Sequence, residues 1–188
     1  MSTPQEVPEL VSRALHQCLV TGWLQTTRNE TGRLLATLAA GREGTIAEAS
    51  TGGGAGVAWL RSGAHPETHV VCVEKDGERA EQARRTLEGT DVEVLDGGCE
   101  TLRARAPFSL LYLSRRTAEQ LSRDLAWQLV ETGGTVVIDD FEPSNEWPPR
   151  DFCGAIDTLR QEWLSDERFT STEVAVAPDL AVVLATKL

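Results

Sequence analysis

The stretch Ile46-Ala47-Glu48-Ala49-Ser50-Thr51-Gly52-Gly53-Gly54-Ala55-Gly56 leads from a short apolar strand into a helix that begins Val57-Ala58-Trp59-Leu60. Glycines at 52, 54 and 56 let the backbone turn sharply and leave main-chain N–H groups open to a ligand with no Cβ in the way. The helix that follows points its positive end at the same place. One strand later, Val70-Val71-Cys72-Val73 ends in Glu74, followed by Lys75. A carboxylate there can accept hydrogen bonds from both hydroxyls of a ribose. Gly52 and Glu74 are 22 positions apart, against about 20 in nucleotide-type cofactor sites.

Two further groups have chemical potential. Asp139-Asp140 closes the apolar run Thr135-Val136-Val137-Ile138, and the carboxyl ends of parallel strands are where ligands bind. A helix cap or a solvated loop start is the competing use. Ser114-Arg115-Arg116 follows the run Phe108–Leu113. The arginines suit a solvated first helical turn, or a grip on a substrate carboxylate or phosphate. Trp147, in the proline-rich stretch 142–150, suits a pocket wall or a plug over the sheet.

These groups need a scaffold, and the hydrophobic pattern supplies one. Apolar residues at helical spacing predict helices over 9–20 and 29–40, the second stopped by Gly41. From Thr45 the pattern alternates. Strands are predicted at 45–49, 69–74, 91–95, 108–113 and 134–139, with helices at 55–62, 76–88, 98–105 and 116–131 between them. Gly133-Gly134 fits the C-terminal turn of the last of these. Short apolar strands separated by helices imply βαβ units and a parallel sheet. A helix over 150–166 precedes two strands, 169–176 and 179–187, whose Ala177-Pro178-Asp179 link predicts a hairpin. Trp59, Trp127 and Trp163 lie among apolar helical neighbours and read as core, whereas Trp23 reads as a dimer contact or a cover for the site.

Composition narrows the function. The 188 residues suit one domain over 1–188, with a helical extension at 1–41 and a core at 42–188. Net charge is −11, which opposes nucleic acid as a partner. No segment is apolar enough for a membrane helix, and Met1–Glu6 lacks the features of a leader, so a cytoplasmic protein is expected. Four scattered cysteines and three histidines (His65 and His69 in a loop) show no metal-ligand spacing.

In motif order the chain resembles class I S-adenosylmethionine-dependent methyltransferases, and within them the small O-methyltransferases of the catechol and caffeoyl-CoA type. The matching text is Ala47–Gly56, Val73-Glu74-Lys75-Asp76-Gly77-Glu78-Arg79-Ala80, Gly133–Asp140 and Leu180–Ala185. The resemblance implies an α/β, Rossmann-like three-layer sandwich: a mostly parallel seven-stranded sheet with an antiparallel C-terminal strand and added N-terminal helices. It implies S-adenosylmethionine as cofactor. Glu48 would contact the methionine end or the loop that holds it, and Ser50, Thr51, Gly52, Gly54 and Gly56 would lie against methionine and ribose. Glu74 and Lys75 would serve the ribose, and Gly97, Gly98 and Cys99 the adenine, with Asp96 one position early for the family's aspartate. Ser50 stands where the family has glycine.

Ser114 stands where metal-dependent members carry a carboxylate, although Asp139 and Asp140 keep the acids at the end of strand five. The resemblance implies a catalytic set of Asp139, Asp140 and Ser114, the last also counted among the cofactor contacts, acting through oxygen on a small-molecule acceptor. The missing carboxylate and the two arginines beside it favour work without metal, with Mg²⁺ dependence the competing reading. N-terminal helices in related enzymes cover the pocket or build a dimer, so a homodimer is expected. Two other functions fit the same residues. A nicotinamide-dependent oxidoreductase shares the glycine loop and the acid, but Val57 occupies the third slot of G-x-G-x-x-G. A catalytically silent cofactor-binding protein is the other, favoured by Ser114.

Overall fold

The computed structural model describes residues 6–188. Met1–Gln5, part of the segment expected to lack a leader, lie outside them. Among the described residues no helix is long and apolar enough to cross a membrane. Two N-terminal helices, α1 (Glu9–Thr21) and α2 (Asn29–Ala40), precede an alternating series. It runs β1 (Thr45–Ala49), α3 (Ala55–Gly63), β2 (His69–Glu74), α4 (Gly77–Thr86), β3 (Glu93–Asp96), a 3₁₀ helix (Cys99–Ala104) and β4 (Phe108–Leu113). Then come α5 (Arg115–Gln120), α6 (Arg123–Leu129), β5 (Val130–Phe141), α7 (Thr158–Leu164), β6 (Phe169–Ala177) and β7 (Leu180–Lys187).

The seven strands form one sheet in the order β3-β2-β1-β4-β5-β7-β6. The first five are parallel, and β7 enters antiparallel between β5 and β6. Alternate residues of each strand face opposite sides. Ala47, Val71, Leu111, Val136 and Ile138 pack on one face with α6 and Trp163 of α7. Ile46, Val70, Cys72, Leu110, Tyr112 and Val137 pack on the other with α1, α2 and α3.

Four expected elements differ. The helix expected at 98–105 is a six-residue 3₁₀ helix, Cys99–Ala104. The helix over 116–131 is two helices, because Ser122 caps a new start by accepting from Leu125 N at 3.1 Å. Gly133-Gly134 lies inside β5, not at a helix end: Gly133 takes φ +81°, where the register shifts between Phe108↔Val130 and Leu110↔Thr135. The helix over 150–166 shrinks to Thr158–Leu164, started by Asp157, which accepts from Arg160 N. Residues 150–156 instead close a loop with Arg150 bridged to Ile156. Trp59 and Trp163 are core, but Trp127 is exposed, with Lys187 Nζ 4.1 Å from its ring centre.

Candidate functional site

The strand order reverses between β1 and β4, and the crevice at the carboxyl ends of the strands opens there. A cavity of about 380 Å³ occupies it. Glu48, Ser50, Thr51, Gly52, Gly56, Glu74, Lys75, Ser114, Asp139 and Asp140 all line it. Gly54 does not; at φ +86° it caps the start of α3. Gly97, Gly98 and Cys99 line a second cavity, which shares Ser50, Lys75, Thr117 and Gln120 with the first. The expected cofactor residues are thus gathered at one end of the sheet.

Glu74 is almost wholly buried. Its carboxylate accepts from Gly52 N at 2.9 Å and Asp76 N at 3.1 Å, and Arg79 stands 3.3 Å away. The acid therefore pins the glycine loop to the end of β2. Glu48 is buried too. It accepts from Thr51 Oγ1 at 2.5 Å, and burial pushes its carboxyl up to about 8. A Cβ on Gly56 would stand 2.1 Å from Glu48 Oε1 and 2.7 Å from the Tyr112 ring, so only glycine leaves this corner intact. Ser50 and Asp140, at the ends of β1 and β5, take φ of +65° and +70°, a strained region for residues with a Cβ.

The β4–β5 side of the cavity holds a chain that sequence reasoning missed. Glu48 and Tyr112 are register partners, and Asp139 lies two residues beyond Val137, the partner of Tyr112. The three share one face of adjacent strands. The Tyr112 hydroxyl donates to Asp139 Oδ2 at 2.6 Å and lies 3.0 Å from Thr27 Oγ1. Its single proton goes to the carboxylate, so Thr27 is the donor in the second bond. Burial, with Asp139 next, holds the phenol well above its ordinary value, and burial pushes Asp139 up to about 7. Asp139 Oδ1 is buried with no protein partner. Ser114 caps α5, accepting from Thr117 N at 3.2 Å. Among the described residues no three His, Cys, Asp or Glu converge to hold a metal ion.

The roof is the segment 22–28 between α1 and α2. Trp23 to Arg28 all line the cavity. Trp23 lies against Gly52, and Arg79 sits 4.9 Å from its ring centre. Arg28 reaches Asp179 through two bonds of 3.0 and 3.2 Å. Trp23 thus covers the site. Asp140 is the last residue of the 140–150 stretch to reach the cavity; Trp147 is exposed and Leu180 takes the wall instead.

This is the Rossmann-like methyltransferase fold, a doubly wound sheet with an antiparallel strand inserted near its edge. Solved structures of that fold superpose along nearly the whole chain. A methyltransferase from Geobacter sulfurreducens matches at 17% identity and a TM-score of 0.75, covering 98% of this chain and 90% of its own. The O-methyltransferase TomG from Streptomyces achromogenes, involved in tomaymycin synthesis and solved with S-adenosylmethionine, matches at 20% identity and 0.75, covering 97% and 92%. An O-methyltransferase from Bacillus cereus, solved with S-adenosylhomocysteine, matches at 16% identity and 0.72, covering 98% and 94%. No protein-family model and no curated protein matches the sequence.

Proposed function

We propose that the protein is an S-adenosylmethionine-dependent methyltransferase that methylates an oxygen of a small molecule without a metal ion. One observation carries it: the glycine loop, Glu74 and the Gly97–Cys99 turn line two neighbouring cavities that share Ser50, Lys75, Thr117 and Gln120, in the fold of enzymes crystallised with this cofactor or its product. Glu74 would hold the ribose, Thr51–Gly56 the ribose and methionine, and Gly97–Cys99 the adenine. Glu48 and Ser50 would shape the methionine end, with Lys75 beside the ribose.

S-adenosylmethionine supplies a methyl group on a sulfonium sulfur. As the acceptor oxygen forms its bond to that carbon, the carbon–sulfur bond breaks and its electron pair stays on sulfur. The acceptor proton passes to Asp139, whose Oδ1 is unpartnered while Oδ2 is held by Tyr112. Asp140 and Ser114 flank the acceptor, and the roof excludes water and fixes the line of attack. The residues do not fit Mg²⁺: Ser114 is spent as a cap, and among the described residues no third acid converges with Asp139 and Asp140. Net charge of −11 supports a small acceptor over nucleic acid. Four free thiols support a cytoplasmic site of action. Exposed Leu19, Val20 and Leu24 on and after α1 support a homodimer, which light scattering at micromolar concentration tests.

Calorimetry tests the central reading. S-adenosylmethionine and S-adenosylhomocysteine should each give heat and raise the melting temperature, and NAD should do neither. Absence of heat from both sulfur compounds refutes it. Methyl transfer to a panel of phenols and carboxylates should proceed in EDTA.

A further inference from the structure

Two arginines stand side by side at the start of α5, in opposite surroundings. Arg115 turns inward. Its Nη1 donates to buried Asp157 at 2.8 Å, its Nε lies 3.5 Å from Glu119, and its guanidinium lies 5.1 Å from the centre of the Phe141 ring. That charge is consumed in holding α5 to the start of α7.

Arg116 is exposed and lines the first cavity. Its Nη1 donates to Gln25 Oε1 at 3.0 Å, a neutral amide carried by the roof. Among the described residues, no carboxylate lies within ion-pair distance of it. A guanidinium offers five N–H donors in a plane, and Gln25 occupies one. The other cavity arginines are matched: Arg28 by Asp179, and Arg79 by Glu74 and Asp76. Lys75 also lines the second cavity, beside Gly97–Cys99, on the cofactor side.

The same cavity is also lined by carboxyl groups. Glu48 and Asp139 are buried on the floor and Asp140 stands beside them. Burial raises both floor carboxyls, so a charge is costly there; an acceptor's own carboxylate is tolerated at the mouth, in water and beside the Arg116 guanidinium. We propose that Arg116 selects the acceptor: it grips the carboxylate of a hydroxy acid at the mouth of the cavity and so sends the hydroxyl inward to Asp139. A planar fork fits a carboxylate through two parallel bonds, which fixes orientation as well as affinity. The assignment rests on the methyltransferase reading of the same site.

The test uses the full-length protein and matched probes: 4-hydroxybenzoate, salicylate and lactate, each against its primary amide. Binding is measured by ligand-observed NMR with S-adenosylhomocysteine present, and turnover with S-adenosylmethionine. At least one acid should bind about tenfold or more better than its amide. Arg116→Gln should abolish that preference, Arg116→Lys should keep part of it, and both variants should bind S-adenosylhomocysteine as the unaltered protein does. No preference in any pair, or a preference that survives Arg116→Gln, overturns the proposal. So does weakened S-adenosylhomocysteine binding in Arg116→Gln, which would put Arg116 on the cofactor's own carboxylate. An acid preference lost in Arg116→Gln, with no heat from S-adenosylhomocysteine, would instead sink the methyltransferase reading and leave the acid site standing.

Discussion

The N-terminal helices are tied to the glycine loop at one contact that can be broken and restored. A Cβ on Gly53 would stand 2.1 Å from Cys18 Sγ, whereas its next neighbours, Trp23 Cδ1 at 3.5 Å and Cys18 Cβ at 3.6 Å, are at ordinary contact. Gly53→Ala therefore overpacks against one atom, at a cost of about 1–3 kcal/mol. Cys18→Ala removes that atom and leaves a small void, at a cost of about 1 kcal/mol. In the double variant the new Cβ enters the space that Sγ leaves. It should then be about as stable as Cys18→Ala alone, which makes the coupling energy about 1–3 kcal/mol. Urea unfolding of the four proteins measures it, with the midpoint read at constant m-value. Calorimetry should follow the same pattern. S-adenosylmethionine affinity should drop in Gly53→Ala, which lifts α1 and Trp23 from the loop, and recover in the double variant. If the two costs add within about 0.5 kcal/mol, the helix does not bear on the loop as described and the reasoning fails.

Three other outcomes are expected. Burial raises Glu48 to about 8 and Asp139 to about 7, from ordinary values of 4.5 and 3.8. Acids raised in the folded chain contribute stability that is complete below those ordinary values and is lost as pH rises through the folded ones. Urea stability should accordingly fall between about pH 5 and about pH 8, and Glu48→Gln should flatten part of that decline. Glu74→Gln should weaken S-adenosylmethionine binding about tenfold or more, because a charged acceptor is lost to the ribose, with little change in far-UV circular dichroism. Arg160 is fully buried, with Glu142 O, Arg150 O and Glu173 as hydrogen-bond partners and Asp157 3.5 Å away. Arg160→Leu should cost about 3–5 kcal/mol by denaturation, since it leaves those partners unpaired in the interior, whereas Trp147→Ala on the exposed loop should stay within about 0.5 kcal/mol.

The strands β1, β2 and β4 were legible because a strand covered on both faces is a short apolar run with clear ends. The first residues of β5 were not: Val130 sits at helical spacing from Ala126 and Trp127, and only pairing with Phe108 makes it a strand. Ser122 carried a readable cap signal three residues before Leu125, and the broken helix at 116–131 was visible there. Trp127 misled because helical spacing reports which face is apolar and not whether anything covers it; here the cover is a lysine. Tyr112 was readable as a strand residue, but its partners lie 27 and 85 positions away. Only strand order places it between Glu48 and Asp139.

That order also explains why the two halves of the site are built from different material. On one side of the reversal, β1, β2 and β3 end in Thr51–Gly56, Glu74 and Gly97–Gly98. Apart from Glu74 these present backbone, which keeps its geometry across many substitutions and suits a ligand that never changes. On the other side, β4 and β5 end in Ser114, Arg116, Asp139 and Asp140, which present side chains of chosen charge. Side chains are what a protein can exchange to suit a particular ligand without disturbing the glycine loop. The roof at 22–28 touches both halves, Trp23 against Gly52 and Thr27 against Tyr112. One short segment therefore bears on both the glycine loop and the hydroxyl that donates to Asp139, so a change in the roof is felt in both halves of the cavity.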